Sequence, residues 1–257
     1  KLLDFAFAHG LNYIVTGHYA RIERDENTGR YLLKKGVDEG KDQSYVLYNL
    51  TQHQLAHTIF PLGAYSKTEI REMAEKQNFC NARKHDSQDI CFVPDGDYVG
   101  FMEQYTGKRY PSGDFIDENG KKIGTHAGAV RYTIGQRRGL GLPMGDRVYV
   151  CAKDMEKNTV TVGPVESLFA TRVIVRDMNW ISVPGLTGEM RVKAKLRYRQ
   201  KEQPAVASPL DGDRILLTFD EPQRGPAIGQ AAVLYDGDTV VGGGTICGVP
   251  KDGEVCR

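Results

Sequence analysis

Tyr13-Ile14-Val15-Thr16-Gly17-His18 is the stretch that decides how the first part of this chain folds. Its leading residues are aromatic or β-branched, which favours a strand, and we expect that strand to be buried. Upstream, Leu2, Leu3, Ala6 and Phe7 recur at helical spacing and Gly10 supplies a C-terminal stop. Helix, strand and glycine in that order make half of a parallel α/β unit, where ligands gather at the carboxyl ends of strands. Gly17 would let a nucleotide approach the backbone closely, although a plain tight turn carries the same signature. Lys1 is not methionine and no N-cap residue precedes the first helix. We therefore expect the sequence to begin inside a helix, with an upstream part missing.

Downstream, Arg21 to Val37 reads as a hairpin turning at Asp25–Gly29. Lys41-Asp42-Gln43-Ser44 leads into a helical run at Tyr45–Tyr48, with Asp42 or Ser44 as its cap. His53 and His57 share one helix face at metal-ligand spacing. Gln54 stands where a zinc protease has glutamate and no third ligand is apparent, so no metal is expected. Ser66-Lys67-Thr68-Glu69 is a capping box opening a helix with Ile70, Met73 and Ala74 inward. A short helix from Asp97 to Tyr105 ends at Thr106-Gly107. From about Pro111 the texture changes to glycines, turns and short β segments. Gly124 to Gly145 carries Arg131, Gln136, Arg137 and Arg138 without an acidic residue, as a flexible loop tracking phosphates would; a mobile surface loop looks the same.

Beyond Phe169, six strand candidates (172–176, 190–200, 204–208, 214–219, 230–235 and 239–247) suggest a small closed β-barrel. In the second of them Arg191, Lys193, Lys195, Arg197, Arg199 and Lys201 alternate with Val192, Ala194, Leu196, Tyr198 and Gln200. At a period of two, all six cations project from one face and the alternating set faces the barrel interior. An edge strand guarded by lysines is the bland account; a phosphate-tracking surface is the account we favour. Tyr198 either fills the core or stacks on a base.

Formal net charge is +1, so a nucleic-acid partner must be sought in local patches. No run of eighteen apolar residues and no signal peptide are visible, so no membrane partner is expected. The cysteines are Cys80, Cys91, Cys151, Cys247 and Cys256, an odd set without C-x-x-C spacing. That argues against a secreted disulfide framework and a zinc ribbon, and for a cytoplasmic setting. Cys91 follows a polar approach, His85 to Ile90, and precedes Phe92-Val93-Pro94. Arg83, Lys84 and His85 would stabilise its thiolate; a small buried hydrophobe is the alternative.

Ser87-Gln88-Asp89-Ile90-Cys91-Phe92-Val93 resembles the segment carrying the second catalytic cysteine of the tRNA-specific 2-thiouridylases. Thr16-Gly17-His18-Tyr19-Ala20-Arg21, Lys41-Asp42-Gln43-Ser44-Tyr45, Gly135-Gln136-Arg137-Arg138-Gly139-Leu140-Gly141 and Leu196-Arg197-Tyr198-Arg199-Gln200 are similar to that family too, in family order. The resemblance implies an α/β plus β fold: the C-terminal part of a parallel-sheet ATP-pyrophosphatase domain (residues 1–106), a small central β-rich domain (107–168) and a six-stranded β-barrel similar to the second domain of elongation factor Tu (169–257). It implies that Cys91 carries a persulfide, that Gly17 contacts ATP, and that His18, Lys41, Asp42, Gln43, Arg197, Tyr198 and Gln230 contact tRNA. In such enzymes ATP, with Mg as its counter-ion, adenylates the uridine C2 oxygen and the persulfide delivers sulfur. A first cysteine then takes part in release, leaving a disulfide. A sulfur-relay protein or cysteine desulfurase would supply the sulfur.

The family's Ser-Gly-Gly-x-Asp-Ser loop, an acidic residue and the first cysteine are absent here and would lie upstream of Lys1. A chain starting at Lys1 is expected to bind tRNA without turning over ATP or thiolating it. Two other classes fit parts of the sequence: a non-catalytic RNA-binding module, and a thiol redox protein using Cys80 with Cys91.

Overall fold

The structure is a computed structural model of the 257-residue chain and describes residues 1–80, 82, 93, 96–142 and 147–250. The chain forms two compact units, one of Lys1–Lys84, Thr171–Glu221 and Ile228–Arg257, the other of His85–Ala170 and Pro222–Ala227.

In the first unit, α1 (Leu2–Ala8) leads to β1 (Ile14–Val15), and β2 (Ala20–Arg24) and β3 (Tyr31–Lys35) form the expected hairpin. A 3-10 turn at Ser44–Leu47, α2 (Gln52–Ala56), β4 (Thr58–Ile59), a second 3-10 turn at Pro61–Ala64 and α3 (Lys67–Lys76) follow. β1 and β4 pair in parallel. The expectation that 13–16 is a buried strand needs correction: Tyr13 is 54% and Val15 62% exposed, because a two-stranded ribbon cannot cover both faces. The helical run expected at Tyr45–Tyr48 is a 3-10 turn over Ser44–Leu47, with Gln43 rather than Asp42 or Ser44 at its N-cap position. The Ser66 box is present, Ser66 Oγ accepting from Glu69 N at 3.3 Å and Glu69 Oε2 from Ser66 N at 2.7 Å. The helix it opens has no buried residue and Met73 is exposed. Helical spacing sets the direction of an apolar face, not the depth of its burial.

The second unit holds α4 (Tyr98–Thr106), capped by Asp97 and ended by Gly107 in the left-handed conformation. It also holds β5 (Gly113–Ile116), β6 (Lys122–His126), β7 (Tyr149–Asp154) and β8 (Thr159–Gly163), in the sheet order β6-β5-β8-β7. Phe115, Tyr132, Leu140, Val150, Val160 and Val162 form its core. Buried His126 stands edge-on to Phe115; its Nδ1 accepts from Gly128 N at 3.0 Å, so its Nε2 donates to Asn158 O at 3.1 Å.

The remaining strands are β9 (Phe169–Trp180), β10 (Met190–Lys195), β11 (Gln203–Pro209), β12 (Ile215–Arg224), β13 (Ala231–Asp236) and β14 (Thr239–Gly248). They run in the order β13-β10-β11-β12-β9-β14, and pairing of β13 with β14 closes a six-stranded barrel. Closure removes most of the sheet edges of these six strands, leaving the start of β14 open. Val173, Val175, Leu217, Leu234 and Ile246 fill its interior.

The long basic strand is also corrected: β10 stops at Lys195, and residues 196–200 turn. Gln200 causes the stop, its Oε1 accepting from Leu196 N at 3.1 Å and its N donating to Arg197 O at 3.1 Å. The six cations therefore do not form one row. Arg191 is paired bidentately with Asp220 on the barrel wall, while Arg199 is exposed in the turn and Arg197 is half-buried there with its Nε covered.

The hairpin does not stay with the α/β segment. β3 adds to the barrel at β14 through Lys34 and Thr239, with β2 beyond it. Ala20, Leu33, Tyr45, Leu47, Leu55 and Phe60 share one core with Ile181, Val233, Tyr235 and Val240 of the barrel. Polar ties reinforce it: Arg30 donates to Trp180 O at 2.9 Å and Ile181 O at 2.8 Å, and Asn179 to Tyr48 O at 2.7 Å and Leu50 O at 2.9 Å. Each caps a backbone group at the shared boundary that would otherwise be costly to bury.

Candidate nucleic-acid interface

The Lys41–Gln43 loop is held from both ends. Asp42 Oδ1 accepts from Gly36 N and Ser44 N, both at 3.1 Å, and Oδ2 from Ser44 Oγ at 2.8 Å. Gln43 spans to the α/β side, its Oε1 accepting from Tyr19 N at 3.0 Å and its N donating to Tyr19 O at 2.9 Å. This sets the loop beside His18, whose Nδ1 shares a 2.8 Å hydrogen bond with Thr16 Oγ1 and whose ring stands edge-on to Phe60.

Tyr45, the next aromatic, is buried and reaches the barrel. Its hydroxyl donates to Ala231 O at 2.9 Å, next to exposed Gln230. Its ring lies 6.0 Å from that of Tyr198, whose hydroxyl donates to Asp42 O at 3.3 Å. Tyr198 is 42% exposed and lies outside the barrel core, which corrects the interior placement. Burial pushes the Tyr45 hydroxyl up to about 12, with Tyr48 adding to the effect and Arg197 opposing it. Tyr235, raised in the same direction mainly by burial, shares a 3.3 Å hydrogen bond with Ser44 Oγ. Lys195 Nζ stands 5.7 Å from the Tyr45 ring centre and 6.0 Å from that of Tyr235; Lys35 Nζ is 4.9 Å from the latter. Such cations over ring faces keep positive charge at the boundary while shielding it from loss of solvent.

Hydrogen bonds thus tie the 41–45 segment to Tyr19, next to His18, to Tyr198, next to Arg197, and to Ala231, next to Gln230. Gly17 is exposed just beyond the carboxyl end of β1, and a Cβ built there would meet only Leu62 Cδ1, at 3.5 Å. Its φ is not in the left-handed region, so a side chain would be unstrained there. Cys91, Arg83, Lys84 and His85 lie outside the described residues. Among the described residues, no group of three or more His, Cys, Asp or Glu could hold a metal ion, and no helix is long and apolar enough to cross a membrane.

Arg137 and Arg138 project from a segment that Gln136 braces. Gln136 Oε1 accepts from Thr133 N and its Nε2 donates to Arg138 O, both at 3.0 Å. This internal bracing was not expected of a flexible loop.

The described thiols differ in accessibility. Cys80 is exposed, whereas Cys151 is half-buried, and burial, with Glu118 adding to it, pushes its thiol up to about 11. Thiolate is the reactive form. At pH 8, alkylation of the native chain should label Cys80 well before Cys151, and Glu118→Gln should speed labelling of Cys151; peptide mapping of a labelling time course checks both. Equal rates at Cys80 and Cys151 would contradict the burial argument.

Three family models match the chain in succession. They are the tRNA methyl transferase HUP domain over residues 1–95, the tRNA methyl transferase PRC-barrel domain over 99–164 and the Aminomethyltransferase beta-barrel domain over 170–246. The tRNA-specific 2-thiouridylase MnmA of Heliobacterium modesticaldum is 50% identical over 247 residues, 95% of this chain and 64% of that protein. MnmA 2 of Thermoanaerobacter sp. is 50% identical over 246 residues, 96% of this chain and 68% of that protein. MnmA of Clostridioides difficile is 48% identical over 237 residues, 92% of this chain and 66% of that protein. This chain belongs to the tRNA-specific 2-thiouridylase family.

The chain spans about two thirds of the length of these curated relatives. In this thiouridylase-family chain, His18 and the 41–43 loop fall in the HUP match while Arg197, Tyr198 and Gln230 fall in the third. The residues gathered at Tyr45 therefore come from two separately recognised segments. Sequence reasoning missed Tyr45, Ser44, Lys195 and Tyr235 as parts of this arrangement. The available signal was an aromatic at the end of a polar loop; its partners lie in the distant barrel segment, Ala231 being 186 positions away from Tyr45 and Tyr235 reaching Ser44 across 191.

Proposed function

We propose that this chain binds tRNA and carries the sulfur in ATP-dependent 2-thiolation of the wobble uridine of tRNA anticodons. The observation that supports the reading is the set of hydrogen bonds joining the 41–45 segment to Tyr19, beside His18, and to Tyr198 and Ala231, beside Arg197 and Gln230. The relatives match across all three segments and are named thiouridylases, so the reaction follows them rather than the methyl transfer in the descriptions of the family models.

Cys91 is the proposed persulfide carrier. Exposed Gly17, whose Cβ position touches only Leu62 at the carboxyl end of a parallel strand, fits the approach of a nucleotide to the backbone. ATP supplies activation of the uridine C2 oxygen as a leaving group; Mg is its counter-ion and needs no ligand set of its own on this chain. His18, held by Thr16, and the Lys41–Gln43 loop orient the RNA, and Tyr198 offers an exposed ring for a base that has left its stack. A sulfur-relay protein or cysteine desulfurase is the proposed donor, and the setting cytoplasmic. We assign domain limits of 1–106, 107–168 and 169–257.

Binding to tRNA should weaken steeply with salt as cations displace counterions. Lys41→Ala and Arg197→Ala should each flatten the salt slope by about one unit per lost phosphate contact. Tyr198→Ala should cost about 1–3 kcal/mol of binding with the slope kept, and, being outside the core, should leave the melting temperature nearly unchanged. Filter-binding titrations at several salt concentrations test these expectations; unchanged affinity and slope in all three variants would remove the surface from consideration. Gly17→Val should leave the fold intact and abolish ATP binding by the full-length enzyme, measured calorimetrically; retained affinity would exclude that position.

A further inference from the structure

Asp42 and Tyr45 stand at the centre of the proposed RNA surface, yet neither presents its polar group to solvent in the way a contact would. Both Asp42 carboxylate oxygens face protein, accepting from Gly36 N, Ser44 N and Ser44 Oγ. Asp42 meets Tyr198 only through its backbone carbonyl. Tyr45 is 8% exposed, and its hydroxyl is turned to Ala231 O.

What these two residues connect is informative. The 41–43 loop is fastened to Tyr19, beside His18, through Gln43. The same loop is fastened to the barrel three times: by Tyr45 to β13 at Ala231, by Ser44 to Tyr235 at the far end of β13, and by Tyr198 to Asp42 O. β13 begins one residue after Gln230, and the Gln230 carbonyl is itself held by Ile246 N at 2.8 Å. A shift of Tyr45 therefore moves the loop relative to Gln230 and Tyr198 together. A surface whose contacts come from two segments binds an RNA of fixed shape only when their spacing is fixed, since flexible spacing must be ordered at the moment of binding.

We infer that Tyr45 and Asp42 are positioning residues for RNA binding, forming a brace that sets the distance between the Lys41–Gln43 loop and the Tyr198 and Gln230 positions of the barrel. The inference rests on the RNA-binding reading above. It assigns Asp42 a role through Gly36, Ser44 and Tyr198 in place of a direct RNA contact.

The test is a double-mutant cycle for tRNA affinity with the full chain, read as fold-changes and salt slopes. Tyr45→Phe keeps the ring in the core and removes only the bond to Ala231 O. It should weaken tRNA binding about fivefold, as loss of one buried hydrogen bond does, with the salt slope unchanged and melting within a few degrees of wild type. Gln230→Ala should weaken wild type modestly but have almost no further effect in the Tyr45→Phe background. Asp42→Asn retains an oxygen for the Gly36 and Ser44 amides and should bind nearly as wild type does, whereas Asp42→Ala should weaken binding without a slope change.

Wild-type affinity in Tyr45→Phe, or Tyr45 and Gln230 effects that simply multiply, would overturn the brace while leaving RNA binding in place. A changed salt slope in Asp42→Ala would make Asp42 part of the contact surface and overturn its assignment. A wild-type chain showing no salt-dependent tRNA binding would overturn the RNA reading and the brace with it.

Discussion

Replacing Cys91 by serine in the full-length enzyme is expected to reduce thiolation of tRNA to background while leaving tRNA affinity unchanged. A hydroxyl cannot hold a transferable sulfur atom, so no conservative route around this loss exists. Among the described residues, the less accessible thiols offer little compensation: Cys151 is held well above neutrality by burial, and Cys247 is half-buried with its Sγ donating to Ile174 O at 3.5 Å. Cys80 is exposed and is the control. Cys80→Ser should retain activity; if it is lost together with the Cys91 variant, a Cys80–Cys91 redox pair becomes the better account. Thiolated nucleoside measured by mass spectrometry after digestion of the tRNA separates these outcomes. Retained thiolation in the serine variant would remove Cys91 as the carrier.

The largest structural effect is expected at Gly63, in the 3-10 turn that packs against β2. A Cβ there would overlap the backbone carbonyl of Ala20 and come within 3.1 Å of Arg21 Cγ, so the backbone of one segment must move. Gly63 O also accepts from Val37 N at 3.0 Å, which ties the turn to the end of the hairpin. Overpacking of this kind costs about 3 kcal/mol, which for a chain of this size lowers Tm by about 6–12 °C. Tyr19, next to Ala20, holds Gln43, so the same substitution should also weaken tRNA binding. Calorimetry of Gly63→Ala with wild type as reference checks it, and an unchanged Tm would mean that the close packing of this turn on β2 is wrong.

Much of the barrel was legible because its strands alternate at a period of two and are punctuated by turns; all six proposed strands exist, and they close. The basic strand was overextended because alternation continues through Gln200 while the backbone does not. A hydrogen bond donated by Leu196 N to the Gln200 side-chain oxygen ends the ladder, and no periodicity encodes it. Val15 read as buried because β-branched composition reports strand tendency, whereas its exposure depends on how many strands pair beside it. The attachment of β2 and β3 to the barrel was invisible for a different reason. It rests on Arg30, Asn179 and the shared core around Tyr45, contacts between segments more than a hundred residues apart that no local pattern announces. The proposed site residues come largely from short motifs; the hydrogen bonds that tie the 41–45 segment to the barrel follow from that unforeseen docking.

The central claim is that tRNA meets this chain where the 41–43 loop joins the barrel. Photocrosslinking of tRNA to the full chain, with the adducts mapped by mass spectrometry, tests it most directly. The account predicts adducts concentrated at His18, Lys41, Gln43 and Arg197–Tyr198, lost in the presence of excess unlabelled tRNA. Adducts confined to residues 96–142 and 147–170, or to the barrel wall around Arg191 and Asp220, would contradict it.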